Sequence, residues 1–286
     1  MSFRPELIIN NDHIILKKFD SSIFPESKNI SNDDKARMIC FLDLETTGLN
    51  SNKDQIVEIA IKLVSINEID GQLLGVVDSY ESFNDPKIVM DEKNIAIHGI
   101  TNEMVLGQFI DWDKVKNIFE KSDIVVAHNA RFDRSFMDKY FPLSEEKVWA
   151  CSVNDIDWAS LGFSSRSQEL LCIWHGFYYE SHRAMTDVDA LIHLVTNDSY
   201  VDEKPIKQLI ANAFQLGYKI LALNSSIKLK DDLRNNGYYW NSDNKYWWKI
   251  IKENDLEPEK DWLSTNIYNG SFLGQVELVT PADRYK

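Results

Sequence analysis

Three apolar, β-branched runs in close succession, Met38–Leu44, Ile56–Ile66 and Leu73–Phe83, constrain this chain's fold more than any other feature. Glu68-Ile69-Asp70-Gly71 supplies a turn between the last two, and strands joined this closely predict an antiparallel meander at one side of a sheet. Beyond Phe83 the pattern changes. Trp112, Val115, Ile118 and Phe119 recur at helical spacing over Asp111–Lys121, Asp123–Ala127 is a short β-branched strand, and Phe132–Phe141 reads as a helix. A short strand near Val148–Cys151 and helices over Ser167–Trp174 and Ala184–Val195 complete the series. A meander continued by alternating strands and helices is an α/β architecture: a mixed sheet, antiparallel on one side and parallel on the other, flanked by helices.

The flanking regions read differently. Residues 1–35 hold one apolar stretch, Leu7–Leu16, then a polar segment, Ser21–Lys35, which together predict an N-terminal arm and a linker ahead of a main domain over 36–203. Residues 204–286 predict a small α+β domain: helix Ile206–Phe214, strand Tyr218–Leu223, helix Ile227–Asn236, a hairpin turning at Asn241–Lys245, helix Glu257–Ile267 and strand Gln275–Val279. Charge changes at this junction. Residues 1–203 carry 19 Lys+Arg against 35 Asp+Glu, whereas residues 204–286 carry 12 against 10. So acidic a chain, at −14 overall, does not hold a polyanion through a broad basic surface. Any nucleic-acid contact must be local, through bound metal, backbone amides, stacking or the C-terminal part.

Composition narrows the class further. Hydrophobic content of 44% with 27% charged residues is globular, and no run approaches the roughly 18 apolar residues of a membrane span. The N-terminal residues lack a basic segment followed by a long apolar one, so a soluble, intracellular, cytoplasmic protein is expected. Cys40, Cys151 and Cys172 are far apart with no Cys-x-x-Cys, and read as buried small hydrophobes rather than zinc or disulfide partners.

The chemistry is expected where the first strand ends. Asp43 and Glu45 are two residues apart, so both project from one face of that strand. Like charges this close need a counter-charge, and a divalent cation with oxygen ligands supplies it. A second acidic element, Ala127-His128-Asn129-Ala130-Arg131-Phe132-Asp133, lies where a strand enters a helix. A third, His182-Arg183-Ala184-Met185-Thr186-Asp187, lies where a turn gives way to a helix, with Asp187 three residues before Ala190 and so on the packed side. Asn129 is placed to fix the turn presenting Asp133, Phe132 reads as core, Ser167 as a helix cap, and Asp189 as solvated.

Asp-x-Glu, then His-Asn-x-x-Phe-Asp, then His-x4-Asp, in that order, resembles the 3′→5′ exonuclease superfamily of proofreading-subunit type, called DEDDh after its four acids and histidine. Leu42-Asp43-Leu44-Glu45-Thr46-Thr47-Gly48 matches the first motif in full, and Ile97-His98-Gly99-Ile100-Thr101 matches a further segment. The likeness extends over about residues 36–200 and implies a ribonuclease H-like fold holding two divalent ions, Mg²⁺ or Mn²⁺. By resemblance, Asp43 contacts both ions, Glu45 and Asp187 complete the tighter site, and Asp133 serves the second ion. His182 takes the proton from the attacking water, as a side chain titrating near neutrality can. Relatives that use tyrosine place it four residues before the last acid, where this chain has Arg183.

Candidate substrate contacts are Thr46, Thr47 and Gly48 in the turn after the acids, with Ile97, His98 and Asn129. The implied activity is release of nucleoside 5′-monophosphates from single-stranded 3′ ends, DNA before RNA. Two alternatives stand beside it: a nuclease trimming RNA ends or short oligoribonucleotides on the same scaffold, and a non-catalytic nucleic-acid or protein-binding module. Proofreading would need a polymerase, or repair a further protein, in trans, and the residues do not fix an oligomeric state. The C-terminal domain, with 12 aromatics in 83 residues and paired clusters Tyr238-Tyr239-Trp240 and Tyr246-Trp247-Trp248, reads either as a single-strand-binding accessory or as a structural or partner-docking module.

Overall fold

The computed structural model describes residues 3–4, 7–9, 13–26, 35–200 and 203–286. The chain forms two compact units, one reaching Ala213 and rejoined by Tyr285–Lys286, the other Phe214–Arg284.

The meander is present as β1 (Ala36–Thr46), β2 (Ile56–Asn67) and β3 (Leu73–Phe83). Helix α1 (Glu92–His98) and helix α2 (Trp112–Lys121) lead to β4 (Ile124–Ala127), α3 (Ala130–Tyr140), β5 (Trp149–Cys151), α4 (Gln168–Trp174), α5 (Ala184–Val195) and α6 (Pro205–Ala213). The five strands lie in the order β3-β2-β1-β4-β5, antiparallel among the first three and parallel from β1 to β5. This is the expected mixed sheet.

Alternation along β1 divides the core. Cys40, Leu42 and Leu44 point to one face, where Val115, Ile118 and Phe119 of α2 and Phe136 and Met137 of α3 cover them. Ile39 and Phe41 point to the other, packed with Val188, Leu191, Ile192 and Val195 of α5. Asp43 and Glu45 have the parity of Ile39 and Phe41, so they emerge on the α5 side as that face reaches the strand's end. α1, which the sequence pattern left unassigned, begins at the cap Asp91, whose side chain accepts from Lys93 N, and ends at Gly99 in the left-handed conformation.

Two boundaries differ from expectation. The sequence pattern places helix α6 in a C-terminal domain beginning at residue 204, but Ile206, Leu209, Ile210 and Ala213 join the core on the α5 side of the sheet. The second unit therefore begins at Phe214. Part of the expected linker is also docked: Asp20 caps a short 3-10 turn at Ser21–Ile23, Phe19 and Phe24 pack on the same core, and Glu26 bridges Val76. The remainder of that segment, residues 27–34, lies outside the described residues. In the expected arm, Ile8–Ile9 pairs with His13–Ile14, and Lys17–Lys18 runs parallel to Phe177–Tyr178.

The second unit is α+β. Its strands β6 (Gly217–Ala222), β7 (Tyr239–Asn241), β8 (Tyr246–Lys252) and β9 (Gln275–Val279) form an antiparallel sheet ordered β7-β8-β6-β9. Helices α7 (Lys230–Asn235) and α8 (Leu256–Asn266) contribute Leu233 and Leu263 to a core with Ile220, Ala222, Trp247 and Ile251. All three cysteines are buried and unpaired, and no described helix is long and apolar enough to cross a membrane.

Candidate active site

Three of the predicted acids converge. One carboxylate oxygen from each of Asp43, Glu45 and Asp187 lies within 4.8 Å of the other two. β1 supplies the first pair, and α5, packed across that strand, supplies Asp187 from its first turn. Asp133, buried in the first turn of α3, stands outside this triple, where it accepts hydrogen bonds from its own amide and that of Leu44.

The site's electrostatics follow from that crowding. Burial, then the charges of Asp133, Asp187, Glu45 and Glu58, hold Asp43 well above the usual carboxylate range. Glu45 is pushed up to about 8, by burial first and then by Asp187 and Glu58. Burial raises Asp133 to about 7 against two backbone hydrogen bonds, and it raises Asp187 against the hydrogen bond from Tyr179. A set of oxygen donors destabilised as anions fits a hard divalent cation.

His182 lies in the turn before α5, exposed, with φ of +66°. A non-glycine residue in that region costs about 1–3 kcal/mol and persists only when neighbours over-determine it. They do here. The amides of His182 and Arg183 donate to Asp187 Oδ2 at 2.8 and 3.2 Å, and Arg183 reaches across to Glu58 on β2. The turn that carries His182 is therefore anchored at its backbone.

Three anchors went unremarked in the sequence. Glu58 is buried at 3% exposure opposite Glu45 in the β1–β2 register, receiving Arg183 Nη2 at 2.9 Å and Ala184 N at 3.0 Å. Its signal was an acid inside the otherwise apolar Ile56-Val57-Glu58-Ile59, since a buried charge needs a partner. Tyr179 donates to Asp187 Oδ1 at 2.8 Å, and Gln168 Nε2 holds both the Tyr179 hydroxyl and the Asp187 carbonyl at 2.9 Å. No spacing rule marks either one.

The remaining candidates fall in several places. Thr46 and Thr47 are buried and engaged: Thr46 Oγ1 donates to Gly48 O at 2.7 Å, and Thr47 Oγ1 accepts from Gln55 N at 3.0 Å. A Cβ on Gly48 would lie 2.6 Å from the Asp54 carboxylate, so the glycine makes room for a side chain of the turn. His98 is buried, its Nδ1 accepting from Ile100 N at 3.0 Å, which leaves Nε2–H as a buried donor with no hydrogen-bond partner. Burial lowers its pKa, favouring this neutral form. Ile97 beside it is 57% exposed. Asn129 is exposed at the N-cap of α3 and caps with its carbonyl, which accepts from Phe132 N, rather than with its side chain. Ser167 occupies the N-cap of α4 with no side-chain bond, and Phe132 packs partly buried against Phe136. Asp189 corrects its expectation: it is 6% exposed and ion-paired with Lys62 of β2.

Comparison with known proteins gives a consistent set. The RNase_T family model, described as an exonuclease, matches residues 40–195. DNA polymerase III PolC-type of Listeria innocua is 30% identical over 169 residues, covering 54% of this chain and 11% of that protein. The protein of the same name from Thermotoga petrophila is 33% identical over 150 residues, covering 48% and 9%. The chain thus spans about a tenth of the length of these curated relatives. Among solved structures, the zinc-bound E. coli ExoI–ssDNA complex aligns with a TM-score of 0.50 at 16% identity, over 86% of this chain and 64% of that one, a likeness of fold.

Proposed function

The chain belongs to the DEDDh-type 3′→5′ exonuclease family, and from that premise we propose that it removes nucleoside 5′-monophosphates from the 3′ ends of single-stranded DNA with two divalent ions, Mg²⁺ or Mn²⁺. The observation that carries this reading is the convergence of the Asp43, Glu45 and Asp187 oxygens with Asp133 and His182 alongside. When bound, such ions offset the charge of the carboxylates and of the scissile phosphate and make water acidic enough to attack near neutral pH.

The chain's own residues do the rest. Asp43, Glu45 and Asp187 hold the tighter site, and Asp133 helps hold the second. His182 accepts the proton of the attacking water from its place beside Asp187, within the 10²–10⁴-fold range, roughly, that positioned bases contribute. Tyr179, Gln168 and the Glu58–Arg183 pair keep Asp187 and the His182 turn in place. The unpartnered Nε2–H of His98 is a donor for a phosphate or sugar oxygen of the terminal nucleotide, and exposed Ile97 offers an apolar surface to its base. Thr46, Thr47, Gly48 and Asn129 shape the walls of that subsite.

DNA is favoured because the relatives matched are named as DNA polymerases. A polymerase or repair protein in trans is the partner this reading suits. The test is a digest of matched 3′-terminal DNA and RNA single strands with Mg²⁺, Mn²⁺ or EDTA. Stepwise release of 5′-mononucleotides, faster from DNA and absent in EDTA, is expected. Faster loss of the RNA would move the assignment to RNA-end trimming, and no hydrolysis with either metal would leave a binding module.

A further inference from the structure

Tyr179, the donor to Asp187, follows a strand that stands apart from the five-stranded sheet. That strand, Phe177–Tyr178, pairs among the described residues with Lys17–Lys18 of the N-terminal arm alone. The two run parallel, with Lys17 N donating to Gly176 O at 2.9 Å and Phe19 N to Tyr178 O at 2.8 Å. The second bond falls on the peptide that joins Tyr178 to Tyr179. Alternation sets the side chains: Phe177 is buried, Tyr178 is exposed, and Tyr179 turns back inward to reach Asp187 Oδ1 at 2.8 Å.

Phe19 of the arm also reaches the helix that carries Asp187. Its ring lies 5.8 Å from that of Phe177 and 4.9 Å from that of His193 on α5, the latter pair stacked at 23°. Phe177 and His193 themselves meet at 4.7 Å, so one arm side chain bridges the strand ahead of Tyr179 and the helix of Asp187. Past Tyr179, Thr186 Oγ1 of α5 donates to Glu180 O at 2.7 Å. Tyr179 is thus held between a tie from α5 and a tie from the arm. A two-stranded pairing is marginal by itself, and here the Phe19 contacts secure it. The arm precedes residues 40–195, the stretch that matches the exonuclease family.

We propose that the N-terminal arm is a clamp on the acidic site: Phe19 and the backbone of Lys17–Phe19 fix the Tyr179 hydroxyl on Asp187, and so set how tightly that site holds a divalent ion. Phe19 is a positioning residue, acting through Tyr179. With the arm withdrawn, the Gly176 and Tyr178 carbonyls lose their donors and the strand loses its ladder, so the peptide entering Tyr179 is no longer fixed. The inference rests on the metal-dependent nuclease reading of the acids.

The test uses the full chain and two readings: the Mn²⁺ concentration giving half-maximal hydrolysis of single-stranded DNA, and the rise in melting temperature that Mn²⁺ produces without substrate. Phe19→Ala should raise the first by about three- to tenfold and shrink the second, less than Tyr179→Phe does, because Gln168 and Thr186 still hold the Tyr179 segment. Phe19→Tyr, which keeps the ring, should restore both. Lys17→Pro removes the donor to Gly176 O from an exposed position and should shift both readings the same way with the rings in place. Phe19→Ala added to Tyr179→Phe should cost nothing beyond Tyr179→Phe alone, whereas a merely structural loss would multiply. A wild-type Mn²⁺ titration in Phe19→Ala, or in Lys17→Pro should Phe19→Ala fail to fold, would overturn the clamp, as would full multiplication in the double variant. No hydrolysis by the unmodified chain, with the Mn²⁺ melting rise in place, would instead sink the nuclease reading and leave the clamp judged on that rise.

Discussion

The first unit gathers acids that raise one another's pKa, while the second pairs its buried acid, Glu259, with Lys249, Asn236 and Tyr238. Both arrangements occur in α/β or α+β cores with a sheet face covered by helices. The difference is that Glu259 is satisfied by its own chain, whereas Asp43, Glu45 and Asp133 are held as anions only at a cost. Acids in that condition suit an external cation, the reading proposed above. The acids of the second unit need none.

The contrast breaks most visibly at Asp43. Asp43→Ala should abolish hydrolysis of any substrate, with the fold intact by circular dichroism; retained turnover would remove Asp43 from the metal site. Next comes His182→Ala, expected to lower kcat by about 10²–10⁴-fold while the melting-point rise on adding Mn²⁺ persists. Loss of that rise would make His182 a structural or ligand residue instead of a base. Tyr179→Phe keeps the ring and removes the hydrogen bond to Asp187, so a decline of about 10–100-fold in activity or metal affinity is expected, read as a shift in the Mn²⁺ concentration giving half-maximal rate. An unchanged metal titration would show that Asp187 needs no such orientation.

The smallest effect is on stability against pH. Glu45 at about 8 and Asp133 at about 7 lie above an unfolded carboxylate value of about 4, so the folded, metal-free chain binds protons that the unfolded chain has released. Their destabilising effect is absent below pH 4, grows as pH rises, and is complete above about 8. The metal-free melting temperature should fall between pH 5 and pH 8, and Mn²⁺ should raise it more at pH 8 than at pH 6. A melting temperature that climbs over this window, with a metal effect independent of pH, would show that these carboxylates are not strained as anions.

The local setting of the candidate site was legible because its members sit at fixed spacings within local elements. Periodicity placed Asp43 and Glu45 on a strand and Asp133 and Asp187 at helix starts, as the structure has them, while their grouping with His182 into one candidate site came from the resemblance of the motifs. The strands of the sheet followed from hydrophobic alternation for the same reason. What supports the site was not legible, because Glu58 meets Arg183 and Lys62 meets Asp189 only once β2 and α5 are packed together. Asp189, two residues from Asp187 on a helix, gave no sign that a partly buried lysine would face it. The unit boundary failed likewise: composition changes at residue 204, but the apolar stripe of α6 packs with what precedes it.

The alternation of β1 places a constraint on how the gene can vary. Losing or gaining one residue between Met38 and Asp43 would turn Asp43 and Glu45 toward α2 and α3, and bring Leu42 and Leu44 to face Asp187. Point substitutions in this strand can be absorbed one at a time, but a codon's insertion or deletion exchanges the two faces at once. Length polymorphism should therefore be absent from this stretch of the coding sequence and tolerated in the turn at residues 68–71, whose residues lie at the far end of the meander.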